Sequence, residues 1–228
     1  MKTPELSVLE AQKEIQAFAA RMQRMFGMVQ DLLTLSSTSV GKKKNNQETE
    51  FNTLFSRIEK YENISDSLEL KIANYLDQVS DAHLSDDTKA KIRGMLREIS
   101  ELESIGDSCY NMARTISRKY QGKEDHFNER QYNHLHQMMG LTNQALTNMN
   151  QLISGRKDSF DVNRSYNIEH EINNFRNQLK SQNIIDVNNH KYTYAVGTIY
   201  MDLINSCEKL GDYVVNVVEA RSGTRMHK

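Results

Sequence analysis

Apolar side chains recur in alternating steps of three and four from Val8 through Ala11, Ile15, Phe18, Met22, Met25, Val29 and Leu32. That period marks a helix with one buried stripe. Thr3-Pro4-Glu5 supplies its start: a capping hydroxyl, a proline at the first helical position and an acid in the first turn. Residues 36–46 interrupt the pattern with Gly41 and Lys42-Lys43-Lys44, read here as a solvated loop. The stripe resumes through Phe51, Leu54, Phe55, Ile58, Tyr61, Leu68, Ile72, Tyr75 and Val79. Ser85-Asp86-Asp87 then caps a third run through Ile92, Met95, Ile99, Leu102, Tyr110, Ala113 and Ile116, closed by the segment Gln121 to Asp125. The second half repeats the plan, with Tyr132, Leu135, Met138, Ala145, Met149 and Leu152 on one helix and Tyr200, Leu203, Ile204, Val214, Val215 and Val218 on another.

The pattern predicts helices over about 4–35, 47–80, 86–120, 128–154, 161–181 and 187–221, with no competing strand signal. The expected fold is all-α: a first three-helix bundle over residues 1–122 and a second over 123–228. Composition supports this, with one proline and no tryptophan in 228 residues. The charge is balanced at 29 basic against 30 acidic residues, which gives no electrostatic footprint for nucleic acid. No stretch has the roughly 18 apolar residues of a membrane span, and no signal peptide opens the chain, so a cytoplasmic module is expected. The two cysteines, Cys109 and Cys207, fall inside helical patterns and read as buried thiols. Met28, Met138, Met139 and Met149 read as core fillers.

One motif stands apart from this pattern. Glu103-Ser104-Ile105-Gly106-Asp107 returns 105 residues later as Glu208-Lys209-Leu210-Gly211-Asp212, with Asn111 and Asn216 four residues past each aspartate. Acids four apart share one helix face. A mid-helix glycine costs about 1 kcal/mol against alanine, so both copies need a packing or functional reason. The preceding helix of each half carries a matching pair, Glu62 with Asp66 and Glu169 with Asn173. An antiparallel hairpin could bring each pair level with its partner motif. Clustered carboxylates either take up protons or bind a cation, and oxygen ligands favour hard ions such as magnesium, calcium or manganese, with iron also compatible. The candidate metal ligands are therefore Glu62, Asp66, Glu103 and Asp107 in the first half and Glu169, Asn173, Glu208 and Asp212 in the second. Asn173 replaces an acid and weakens the second set.

These E-x-[IL]-G-D segments, the paired acids and the doubled three-helix plan resemble the PhoU family of phosphate-uptake regulators. The resemblance implies two three-helix bundles that bind metal clusters through these motifs. A second likeness lies at Thr3-Pro4-Glu5-Leu6-Ser7 running into Ala11-Gln12-Lys13-Glu14-Ile15. It is similar to the junction that leads into the cytoplasmic PhoU-like region of bacterial sodium/phosphate cotransporters.

The resemblance implies a regulatory, non-catalytic, metal-binding domain on the cytoplasmic side of the inner membrane. Its partner would be a membrane transport domain of the same polypeptide, with a homo-oligomer as a further expectation. The alternative is a stand-alone regulator acting on a phosphate ABC transporter and a sensor kinase. A metal-free helical adaptor is the third reading, and zinc is not distinguished from the other ions by the resemblance. No residue pattern marks a phosphate site. A di-metal enzyme lacks support: His134 and His136 lie on different helix faces, no H-E-x-x-H occurs, and no P-loop or nucleophile elbow is present. His170 reads as a surface histidine, and Cys109 lies beside acids that disfavour a thiolate.

Overall fold

The computed structural model describes residues 3–38, 44–81, 83–122, 126–155 and 161–223. Six helices follow in order: α1 (Pro4–Thr38), α2 (Lys44–Ser80), α3 (Asp86–Gln121), α4 (Glu129–Ile153), α5 (Asn163–Asn188) and α6 (Tyr194–Ser222). The all-α expectation holds, with no strand among the described residues. Lys42 and Lys43 of the lysine run, the loop end at 123–125 and the link at 156–160 lie outside the described residues.

Local chemistry sets the helix starts. Thr3 accepts a hydrogen bond from the Leu6 amide, and Ser85 accepts one from Thr88. Asn128 and Gln131 form a reciprocal capping box at the start of α4. Thr193 caps α6, and Gly223 closes it in the left-handed region at φ 71°.

One boundary departs from the sequence reading. α5 continues to Asn188, well past residue 181, and α6 begins at Tyr194, not near Val187. No glycine or proline interrupts Ser181–Asn188, and the Asp186 carboxylate accepts from Gln182 one turn back while pairing with Lys191. The chain reverses only at Asn189-His190, where His190 takes a positive φ of 54°.

Within each trio every helix packs against the other two. Between trios only like helices meet: α3 lies along α6, the most extensive pairing in the molecule, and α1 lies along α4. Like-on-like contact is what a pseudo-twofold axis between two copies requires. It places α1, α3, α4 and α6 in the centre and leaves α2 and α5 on the flanks. The buried residues of all six helices form one hydrophobic cluster that crosses the seam. There the Cys207 thiol sits 3.9 Å from the Met112 sulfur, and both cysteines are fully buried.

Polar ties fasten the same seam. Arg221 places Nε 2.5 Å from Oε1 of buried Glu98 and donates to the Ile153 carbonyl at 3.1 Å. Gln23 donates to Thr147 at 2.7 Å, and Asn150 donates to Gln23 at 2.9 Å. Asn216, the last residue of the second motif, donates to Glu101 at 3.2 Å, so it serves the seam and not the acidic cluster.

Candidate metal centre and its altered copy

Each acidic motif faces the flanking helix of its own trio, and the glycines explain why they can. A Cβ on Gly106 would stand 2.8 Å from Ser65 Oγ, 3.3 Å from Ser65 Cβ and 3.1 Å from Met22 Sδ. A Cβ on Gly211 would meet Ile172 Cδ1 at 3.3 Å. The missing side chain lets α3 approach α2, and α6 approach α5, at the level of the acids. Ser65 and Ile172 each precede the second polar residue of their pair, so the two glycines face equivalent positions on their flanking helices, with the closer fit at Gly106.

In the first trio this approach gathers five carboxylates. Oxygens of Glu62, Asp66 and Asp107 lie within 4.8 Å of one another, and among the described residues they form the only acid, histidine or cysteine group close enough to share an ion. Glu103 reaches Asp107 and Asp66 from the α3 side, and burial together with these acidic neighbours pushes its carboxyl up to about 8. Burial raises the Glu62 carboxyl above its usual range, with Asp66 and Asp107 adding to the effect. Glu69, one turn beyond Asp66, feels the same two aspartates, and burial raises it as well. Among the described residues none of the five makes an ion pair. Ser65 Oγ, against Gly106, is buried with no hydrogen-bond partner. The pattern of acids was legible in the sequence; the part played by Glu69 and Ser65 was not.

The second trio brings Glu169, Glu208 and Asp212 together, yet with different chemistry. Glu169 accepts from the Asn173 amide and also faces Asp212. Burial raises the Glu208 carboxyl, Asp212 adds to this, and the Arg176 guanidinium pulls it back. Arg176 stands 107 residues after Glu69, the offset that relates Glu169 to Glu62 and Asn173 to Asp66. A cationic residue thus occupies the place of an acid. Aligning the two halves would have exposed this exchange from sequence. His170 lies 3.7 Å from Glu169 but its side chain is 71% exposed.

Elsewhere, burial pushes both thiols up, that of Cys207 to about 12, which keeps them protonated and inert. No helix among the described residues is long and apolar enough to cross a membrane.

No protein-family profile and no curated protein matches the sequence. Solved structures do match in fold. The phosphate transport system regulatory protein PhoU from Streptococcus pneumoniae aligns over 99% of this chain and 100% of its own, at TM-score 0.77 and 15% identity. PhoU from Pseudomonas aeruginosa aligns over 96% and 99%, at TM-score 0.79 and 11% identity. A PhoU-like protein from Shewanella oneidensis aligns over 94% and 98%, at TM-score 0.65 and 13% identity. The fold is that of PhoU.

Proposed function

We propose that this chain is a non-catalytic, PhoU-like regulator of phosphate transport whose first trio carries a cation between α2 and α3. The end-to-end agreement with PhoU structures carries the regulatory reading. Support for the cation comes from the first cluster itself. Three carboxylates close enough to share an ion, with Glu103 and Glu69 beside them, no ion pair to any of the five among the described residues and an unpartnered buried hydroxyl on neighbouring Ser65, suit a hard ion with oxygen ligands. Glu62, Asp66 and Asp107 would hold it, with Glu103 and Glu69 close by. The ion would neutralise the acids and tie α2 to α3.

Two forms of the regulatory role follow. In the first, the chain is the cytoplasmic part of a sodium/phosphate cotransporter, a reading motivated by Thr3–Ser7 and Ala11–Ile15. In the second, it is a stand-alone regulator, a reading supported by its end-to-end likeness in fold to the pneumococcal phosphate transport system regulatory protein. Deleting the coding region and measuring uptake of labelled phosphate with and without sodium separates them. A change confined to sodium-dependent uptake supports the first form, and an equal change without sodium supports the second. Unaltered uptake in both media refutes the regulatory role.

A further inference from the structure

The fold family leads one to expect a metal in both trios, and the second cluster does not fit one. Its five positions carry three carboxylates, one amide and one guanidinium, where the first cluster carries five carboxylates. Glu169, Glu208 and Asp212 do not form an ion-sharing group of the kind Glu62, Asp66 and Asp107 form, among the described residues. Both changes act in the same direction. Asn173 presents its amide N–H₂ to Glu169, giving that carboxylate a hydrogen-bond donor, whereas at the same place in the first cluster Asp66 gives Glu62 a second negative charge and a further oxygen ligand for a shared ion. Arg176, one turn further along the same face of α5, is half-buried, and its Nε has no partner of its own. The Asn173 side-chain oxygen is likewise buried and unpartnered. A guanidinium fixed on the helix supplies positive charge permanently, whereas a dissociable ion supplies it only when present.

We infer that Arg176, assisted by Asn173, is the built-in counter-charge of the second cluster, so that this trio closes α5 onto α6 without a metal and any cation response is confined to α2 and α3. The inference rests on the proposed ion site in the first trio, but its failure can be told apart from the failure of that site. The gap in chemistry between the copies comes from two residues, and exchanging them should move metal binding from one trio into both.

The test uses the full chain stripped with chelator and titrated with Mn²⁺, with bound ion counted by electron paramagnetic resonance. Glu103→Gln with Asp107→Asn should weaken Mn²⁺ binding by at least about tenfold, whereas Glu208→Gln with Asp212→Asn should leave it within about twofold of wild type. Asn173→Asp with Arg176→Glu should add binding in the second trio, roughly doubling the bound ion. The inference is overturned if the Glu208/Asp212 variant loses the ion, or if the Asn173/Arg176 variant gains none. A wild type that binds no Mn²⁺ refutes the proposed ion site of the first trio alone; the Asn173/Arg176 variant then decides the inference by the same gain or absence of gain. Should that variant fail to fold, Arg176→Gln adds no acid and serves in its place. Introduced into the Glu103/Asp107 variant, it should make the melting temperature rise with Mn²⁺, where the parent variant shows no rise. A melting temperature that stays insensitive to Mn²⁺ overturns the inference.

Discussion

Replacing Gly106 and Gly211 by alanine, one at a time, tests whether the glycines exist to let helices meet at the acids. In an open helix each change would stabilise the protein by about 1 kcal/mol through helix propensity. At Gly211 the new methyl meets only the Ile172 side chain, its tip at 3.3 Å and Cγ2 at an ordinary 3.9 Å, and a small rotation relieves the closer contact. Most of the propensity gain should survive, leaving the variant neutral to about 1 kcal/mol more stable. At Gly106 the methyl meets Ser65 Oγ at 2.8 Å, and turning that hydroxyl away still leaves Ser65 Cβ at 3.3 Å and Met22 Sδ at 3.1 Å. Overpacking of this kind costs about 1–3 kcal/mol, which offsets or exceeds the gain and leaves a net loss of about 0–2 kcal/mol. Urea unfolding in chelator, compared through midpoints at equal slopes, measures both. Ser65→Ala in the Gly106→Ala background should restore part of the loss, because it also removes a buried hydroxyl with no partner. The reasoning fails if Gly106→Ala proves as stable as Gly211→Ala.

Further expectations concern the seam and the ionisable groups. Gly94→Ala drives a methyl to within 2.9 Å of the Ala220 carbonyl oxygen, part of a backbone that cannot rotate away, so it should lose about 1–3 kcal/mol in the same urea assay. Arg221→Ala strips the partner from Glu98, which is 1% exposed, and should cost about 3–5 kcal/mol by urea midpoint, since a buried carboxylate is left unpaired. Glu103 is held above its unfolded value, up to about 8, and faces Asp66, Glu69 and Asp107. The folded state therefore binds the extra proton, so chelated protein should lose stability as pH rises from the normal glutamate range toward 8. Glu103→Gln should flatten that slope in pH-dependent melting, and an unchanged slope would refute the assignment. Cys109 and Cys207 should react with a thiol reagent only at the rate of global unfolding, and fast labelling of native protein would contradict their burial.

The sequence made the helices readable because each buried stripe keeps a clean 3.6-residue period, and the acids readable because carboxylates four apart must share a face. It did not reveal how the trios meet. Phe18 and Met22 read as core positions of one bundle, but the same helix also turns Gln23 toward Thr147 and Asn150 of α4. Such polar partners carry no period. The Glu98–Arg221 pair joins residues far apart in sequence, each of which looks like an ordinary surface charge until the seam buries it. α5 runs past its expected end because the turn at Asn189-His190 uses no glycine or proline to mark it. Glu69 and Arg176 escape the motif because each lies outside the four-residue spacing that defines it, although an offset of 107 residues between the two halves sets them opposite one another.

That correspondence bears on why a duplicated protein would keep one acidic cluster and alter its copy. At the 4.8 Å limit separating Glu62, Asp66 and Asp107 oxygens, each pair of ionised acids repels by about 1–3 kcal/mol between water-like and surface-like dielectrics. Two of the three pairs, Glu62 with Asp107 and Asp66 with Asp107, act between α2 and α3 and together amount to a sizeable share of the stability of a typical domain, about 5–15 kcal/mol, so the α2–α3 contact should loosen without a cation and tighten with one. The α5–α6 contact, with fewer acids and its own guanidinium, lacks that sensitivity. A pseudo-symmetric molecule with one responsive flank and one fixed flank can change shape on one side while the α3–α6 seam keeps the other in place. Direct evidence would come from hydrogen exchange with and without Mn²⁺. Protection should change along α2 near Glu62–Glu69 and stay constant along α5 near Glu169–Arg176. Equal changes on both flanks would refute the asymmetry, whatever the affinity of the ion.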